Sequence, residues 1–329
     1  MKLSGTEVEI VTNPYHCSSA PIDIDYEDTL TSLLIKGPWN NEILSFINQK
    51  NIKGLYLNSA KGFSCDDFGF LAKLPKLELL KIIYPPVDSL SIVGELTSLK
   101  SLSLSCHWKD RIDLSALGQL ERCFISYDKG AETIFNCRAL KYLYIDEFKL
   151  KDFHAIGALS KLEYLTIGNS SFNQPNLFRE LTQLRKLVLL NCRKLEQLQG
   201  VEDLSNLEWL TIDGSRKLSS IRELKSLITL KILQLCDNKE IDTLSPIENL
   251  SRLKVLCFFG DTVFKDGNFN VLEALPSLSM TGFSSRRHYT HKPSKPWNWN
   301  DYDSKSIAIV KNSKTIVTIT KYTIRKIDL

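Results

Sequence analysis

The side chains of this chain best equipped for covalent or metal chemistry are five histidines and eight cysteines, and their spacing points to neither. His16, His107, His154, His288 and His291 fall in no H-E-x-x-H pair and no nucleophile elbow. His288 and His291 lie three apart in a basic stretch without an acidic or thiol ligand beside them, so no metal is expected there. No phosphate-cradling glycine loop or dinucleotide fingerprint occurs, and the expectation is a protein that is not an enzyme and carries no cofactor. Cys17, Cys65, Cys106, Cys123, Cys137, Cys192, Cys236 and Cys257 form no C-x-x-C pair. Cys123 takes a place that leucine fills elsewhere, as a small buried hydrophobe would, so the thiols read as reduced and structural.

Recognition chemistry is better represented. Arg122, Phe124, Tyr142, Tyr144, Asp146, Tyr164, Lys186, Trp209 and Asp213 recur at alternate positions in five stretches spaced 20 to 23 residues apart. Tyrosine, tryptophan and arginine are the types enriched where binding energy concentrates. Aromatic and β-branched residues also favour strands and pair across them, so a purely structural role competes with a binding one. What decides is where the chain puts them.

Leucines set that position. Leu204, Leu207, Leu210 and Ile212 are followed one period later by Leu227, Leu230, Leu233 and Leu235. The template L-x-x-L-x-L fits twelve times, beginning at Leu30, Ile52, Leu77, Leu99, Leu120, Leu140, Leu162, Leu184, Leu207, Leu230, Leu253 and Leu278. The intervals run from 20 to 25 residues, within the leucine-rich range. The last apolar pair of each unit alternates with other residues at period two, which predicts a short strand with its leucines turned inward. Apolar residues about three apart, as in Ile241, Leu244, Ile247 and Leu250, predict a helical turn on the opposite side. Strands are narrower than helices, so stacked units curve. The expected fold is therefore an α/β leucine-rich repeat solenoid: a curved right-handed superhelix with a parallel sheet on its concave face and short helices or 3₁₀ turns on its convex face. The alternating residues above would then stand on the concave wall as one patch, neighbouring strands being about 4.8 Å apart.

The spacing L-x-x-L-x-x-L-x-L, plain at Leu96, Leu99, Leu102 and Leu104, resembles the 22-residue leucine-rich repeats of internalins and of the phosphatase-regulator class. The resemblance covers roughly Leu30 to Phe283 and implies a scaffold that binds proteins through the inner wall of its arc. The chain departs from it at the usual asparagine after the strand. That place holds Pro38, Ala60, Pro85, His107, Asp128, Phe148, Ser170, Cys192, Ser215, Asn238, Asp261 and Arg286, so the turns need other backbone partners.

Four segments follow from the pattern: an N-terminal cap over 1–29, the solenoid over 30–285, a basic Trp- and Pro-rich loop over 286–305 and a C-terminal β-hairpin cap over 306–329. Glu7 to Val11 reads as a strand of the first cap, Ile307 to Val310 and Thr315 to Thr320 as the hairpin closing the sheet edge. Asp66 and Asp67 with Phe68 to Leu71, inside a 25-residue interval, read as a longer outer helix. From Arg286 onward 10 Lys/Arg face 3 Asp/Glu, whereas the whole chain carries only +4, so basic character belongs to the tail. Arg286, Arg287, Lys292 and Lys295 interleaved with Tyr289, Trp297 and Trp299 could hold single-stranded nucleic acid over 286–299. No window has the length of a membrane span or the apolar run of a secretory leader, and the expected location is cytoplasmic. The functional expectation is a scaffold gripping a protein partner on its concave sheet. Its variants are an immunity- or antitoxin-like inhibitor, an adaptor recruiting an enzyme, or nucleic-acid binding through the basic tail.

Overall fold

The computed structural model describes residues 1–11, 31–148, 154–173, 176–291, 307–311, 315–319 and 324–328. Two strands open the chain, β1 (Lys2–Leu3) and β2 (Thr6–Val11), before β3 (Ser32–Lys36) and helix α1 (Asn41–Gln49). One strand per repeat follows: β4 (Gly54–Asn58), β5 (Leu79–Ile83), β6 (Ser101–Ser105), β7 (Arg122–Ser126), β8 (Tyr142–Asp146), β9 (Tyr164–Gly168), β10 (Lys186–Leu190), β11 (Trp209–Asp213) and β12 (Ile232–Cys236). Between β12 and the next repeat strand, β14 (Val255–Phe259), lies the two-residue β13 (Glu240–Ile241). It pairs across the outer side with β15 (Val263–Phe264), which precedes β16 (Met280–Phe283).

Each of the twelve repeat strands, β3 to β12, β14 and β16, begins two residues after the first leucine of its template. They form one sheet in chain order, every neighbouring pair parallel and in register, so that Leu165 faces Leu143 on one side and Leu187 on the other. Within a strand, second and fourth residues enter the core, as Leu210 and Ile212 do at 0% exposure. Side chains alternate faces along a strand, which leaves first, third and fifth residues on the concave wall.

The outer side is built from 3₁₀ turns such as Ser91–Glu95 and Arg222–Ser226. A 3₁₀ helix has three residues per turn, so leucines three apart line up on one face without the drift a 3.6-residue period would give. Leu224, Leu227 and Leu230 are all fully buried in this way. The first repeat differs. Its buried apolar pair, Ile43 and Ile47, is four apart and sits on α1, a true α-helix. Asn40 caps it, accepting from the Glu42 and Ile43 amides at 3.0 and 3.1 Å and donating to the Leu3 carbonyl at 3.1 Å. The longer helix expected near Asp66–Leu71 is instead a five-residue 3₁₀ turn, Gly69–Lys73. Its surplus residues form a second short turn, Ser59–Lys61, and a bridge between Pro38 and Ser64.

Glycine is required where one outer turn presses on the next: a Cβ on Gly94 would lie 2.0 Å from the Asp113 carbonyl oxygen. The turns after β8 to β12 and β14 share another constraint. Glu147, Asn169, Asn191, Gly214, Asp237 and Gly260, each one residue past its strand, have φ between 46° and 71°. Asparagine, aspartate and glycine tolerate this left-handed region best.

The asparagine missing from most turns is replaced by assorted donors and acceptors that reach back to the preceding repeat, as the asparagine present at 238 does. Ser170 Oγ accepts from the Phe148 amide at 3.1 Å and donates to the Gly168 carbonyl at 2.7 Å. Asn238 accepts from the Ser215 amide at 2.9 Å, donates to the Ile212 carbonyl at 2.8 Å, and its own amide donates to Thr262 Oγ1 at 3.0 Å. These buried polar groups are satisfied locally, as burial demands.

At the N-terminal end β2 pairs antiparallel with β3, as expected from Glu7–Val11, and β1 pairs with β2. The rest of the segment read as a cap, residues 12–29, lies outside the described residues. At the other end the basic stretch begins in order: Tyr289 is buried in the core, its hydroxyl accepting from the Phe264 amide at 3.2 Å and its ring 4.3 Å from that of Phe269. His288 bonds the Phe264 carbonyl and the Phe269 amide donates to Thr290. Residues 286–291 form an irregular turn and bend, as expected, but one that packs against the outer residues of the last repeat. Tyr289 is thereby withdrawn from any stacking role, while Lys292, Lys295, Trp297 and Trp299 lie outside the described residues. The terminal strands are three, not two: β17 (Ile307–Lys311), β18 (Thr315–Ile319) and β19 (Ile324–Asp328) form an antiparallel sheet of their own. Among the described residues they pair with one another and not with the large sheet, whose last strand there is β16.

Candidate interaction surface

The nine residues singled out by type and spacing all lie on the concave face of β7 to β11. First positions give the row Arg122, Tyr142, Tyr164, Lys186, Trp209, and third positions include Phe124 and Tyr144. Parallel pairing in register places like positions side by side, which is why rings one repeat apart in sequence meet. Tyr142 and Tyr164 stack with centroids 4.5 Å apart and planes 12° from parallel. Phe124 and Tyr144 stack at 6.0 Å and 24°.

Cations complete the row. Arg122 Cζ lies 5.4 Å from the Tyr142 centroid, and Lys186 Nζ lies 3.5 Å from that of Trp209. Trp209 is held in turn: its Nε1–H is shared between Thr211 Oγ1 at 2.9 Å and Gln234 Oε1 at 3.3 Å, and Thr211 donates to Gln234 at 2.7 Å. A shallow cleft is lined by Phe124, Tyr142, Tyr144, Tyr164, Thr166 and Lys186. Lys81, third in β5, repeats the arrangement over Tyr56 of β4 at 4.9 Å. Reading only the five central repeats overlooks this pair, although its register is the same.

These side chains are packed more deeply than an open wall implies. Phe124, Tyr142, Tyr144, Tyr164 and Trp209 are half-buried, while Arg122 and Lys186 are only 5% and 6% exposed. Close strand spacing lets each ring cover its neighbour. The two acids of the set serve other ends. Asp146 Oδ1 accepts from Asn169 Nδ2 at 2.8 Å and fills the space a Gly168 side chain would need, since a Cβ there would lie 2.5 Å away. Asn169 Oδ1 then accepts from Asn191 at 3.0 Å, so Asp146 starts a polar ladder along the turns. Asp213 is buried at the fifth position of β11.

Charge is sorted by row. Across all twelve repeat strands the first and third positions hold Lys81, Arg122 and Lys186 but not one aspartate or glutamate. One residue before the strands the signs alternate: Lys53, Glu78, Lys100, Glu121, Lys141, Glu163, Arg185, Glu208, Lys231. Glu78 bridges Lys53 and Lys100 at 2.5 and 2.7 Å, and Glu208 bridges Arg185 and Lys231 at 3.3 and 3.0 Å. Lys100 and Lys53 hold the Glu78 carboxyl below the usual range. Burial pulls Glu208 upward, but Lys231 and Arg185 outweigh it and leave it lowered. Along this edge cations and carboxylates largely compensate, five against four, whereas the first and third rows beside it hold cations alone. Periodicity of leucine alone does not display the ladder; reading down the column before each strand does.

Cys65, Cys106, Cys123, Cys137, Cys192, Cys236 and Cys257 are free thiols, and all but Cys65 are buried, while Cys17 lies outside the described residues. Burial pushes Cys106, Cys137, Cys192 and Cys257 up to about 12, and Cys65 up to about 11, which keeps them protonated. Among the described residues no group of three His, Cys, Asp or Glu is arranged to hold a metal ion. No helix among them is long and apolar enough to cross a membrane.

No protein-family model matches the chain, and no curated protein sequence does. Solved structures do. An internalin, InlF of Listeria monocytogenes, is 22% identical and superposes with a TM-score of 0.56 over 78% of this chain and 83% of its own. A TDR receptor is 17% identical with a TM-score of 0.56, covering 75% of this chain and 46% of the receptor's. PEPR1–AtPEP1 is 16% identical with a TM-score of 0.52, covering 76% of this chain and 37% of that one. Twelve stacked strand-and-turn units in register, shared in their arrangement with these neighbours, make the chain a leucine-rich repeat solenoid.

Proposed function

We propose that the protein is a non-catalytic interaction scaffold that docks a protein partner on the concave face of β7 to β11. The fold it shares with an internalin and a receptor supports a protein-interaction role in general. The observation that carries the finer reading is the pair of ring stacks, Tyr142 on Tyr164 and Phe124 on Tyr144, half-buried and flanked by Arg122 and Lys186. Rings presorted by the sheet lose little conformational freedom on binding, and tyrosine, tryptophan and arginine are the usual anchors of protein interfaces. Seven free thiols fit a reducing compartment, and we place the scaffold in the cytoplasm on that ground.

The test is a photo-crosslinking residue in place of Tyr144, with Tyr164→Ala and Trp209→Ala as companions. The reading expects a partner crosslinked at 144 from the native cell, lost in the alanine variants while they keep the native circular dichroism spectrum and a cooperative melt. A partner captured equally well by the variants would transfer the site elsewhere.

A further inference from the structure

Beyond the ring stacks the concave wall carries a second apolar patch, separate from the core: Cys236, Val255, Cys257 and Phe259, with Ile232 and Met280 against them. We infer that this patch is the seat of the chain's own segment 292–306, whose Trp297 and Trp299 pack across the concave side of β12, β14 and β16. The contact goes beyond the partner-docking reading and does not depend on it.

Burial is the first observation. All six residues occupy first, third or fifth strand positions, the rows turned away from the core. Yet Cys257 and Phe259 are 2% exposed, whereas the rings of β7 to β11 in those rows are half-buried. The Phe259 ring reaches over Gly282 of β16, where a Cβ would lie 2.6 Å from its Cζ. That contact accounts for one side of the ring. A phenyl group on the wall of a sheet also turns a face toward the open side, so near-complete burial requires a cover there. Because the single chain already hides the patch, the cover belongs to the chain itself.

Reach decides which stretch supplies it. Residues 12–31 are tied at both ends, Val11 pairing with Ser32, so that loop extends about 33 Å at most from β3. β14 lies ten strand spacings from β3, about 48 Å along the sheet. The stretch after His291 starts in the right place. His291 hydrogen-bonds Glu273 and Tyr289 bonds the Phe264 amide, both on the outer side of the last repeats. Packed layers stand about 10 Å apart, and the six residues from Lys292 to Trp297 extend about 20 Å, enough to round the end of the solenoid.

Chemistry fits as well. Trp297 and Trp299 are two apart, the spacing that turns both side chains of an extended chain to one side, about 6.6 Å from each other. Pro293 and Pro296 favour extended backbone ahead of them. Sulfur makes favourable contacts with aromatic rings, and the patch offers two thiols, a thioether and a phenyl group. The stretch Pro296 to Asn300 holds no charge, so none is desolvated with the indoles.

The two thiols report on the cover. In the full chain, treated with N-ethylmaleimide and mapped by mass spectrometry, Cys236 and Cys257 should be protected. Trp297→Ser with Trp299→Ser should speed their labelling at least tenfold while Cys123, Cys137 and Cys192, inside the core, stay protected. Trp297→Phe with Trp299→Phe should keep the protection, which separates loss of a ring from loss of the fold. Equal labelling of Cys257 with and without the tryptophans overturns the inference, as does rapid labelling in the unaltered chain. Opening of the patch by Ile309→Ser with Val317→Ser instead would assign the cover to the terminal sheet, and protection that fades on hundredfold dilution would assign it to a second copy; either overturns it too. A benzoylphenylalanine at position 299 of the otherwise unaltered chain gives a readout free of destabilising changes: crosslinks should fall on Val255–Phe259 or Met280–Phe283, and crosslinks confined to other repeats refute the contact. Crosslinking at position 144 bears on the partner alone, so either reading can fail without the other.

Discussion

Lys186 rests its ammonium 3.5 Å from the centre of the Trp209 ring one strand away, and the ring is fixed from behind by Thr211 and Gln234. A desolvated cation over tryptophan is worth on the order of 2 kcal/mol. In a double-mutant cycle of Lys186→Met and Trp209→Leu, followed by urea unfolding, the two sites should couple by about 1–2 kcal/mol. Strict additivity would mean that the two groups are neighbours and nothing more.

Leu165 tests the stacking itself. It is 1% exposed between Leu143 and Leu187. Leu165→Ala should cost about 2–5 kcal/mol through the cavity it leaves. Leu165→Asp places an unpaired charge in the stack and should abolish the cooperative melt of the central repeats, as seen by circular dichroism. An unchanged melting curve would contradict the register.

Asn238 is the turn residue with most to lose. Three hydrogen bonds at 2.8 to 3.0 Å tie its side chain and amide to Ile212, Ser215 and Thr262, and it is 0% exposed. Asn238→Ala strands the Ser215 amide and the Ile212 carbonyl, so denaturant unfolding should report a loss of about 2–4 kcal/mol. Replacement of exposed Asn206 should stay within about 0.5 kcal/mol.

Acid should weaken the edge ladder. The Glu78 carboxyl is lowered in the folded chain by Lys100 and Lys53. A depressed carboxylate stabilises the fold above its unfolded pKa, near 4.3, and that contribution disappears as pH falls through the lower folded value. Glu78→Gln should therefore narrow the stability difference between pH 6 and pH 3, measured by thermal melts at both. At the far end the sign pattern breaks, Lys231 being followed by Lys254. Lys254→Glu restores the alternation beside Lys231 and should stabilise by about 0.3–0.5 kcal/mol, an effect that 0.5 M salt removes.

Leucine spacing is a strong signal because its cause is local and repeated: each strand starts two residues after its template leucine even where Thr281 replaces one. The concave residues were legible for the same reason, since alternation fixes their face. Their depth was not, because burial of Arg122 and Lys186 depends on rings supplied by other repeats. The outer side misled near Asp66–Leu71, where a longer interval suggests a longer helix. Only the four-residue spacing of Ile43 and Ile47, with Asn40 ahead of them, marks the real one. The fate of Tyr289 was hidden too: its burial comes from Phe264 and Phe269, residues a whole repeat away in an aperiodic stretch.

The sign change from one repeat to the next gives the column before the strands a unit cell of two repeats rather than one. Excising a single central repeat, for example the one that supplies Glu121, would set Lys100 beside Lys141 and turn attraction into repulsion along that border. Removing two consecutive repeats would leave the sequence of signs intact. Shortened solenoids of this chain should accordingly obey an odd–even rule, holding together when trimmed in doublets and loosening along one flank when trimmed by one.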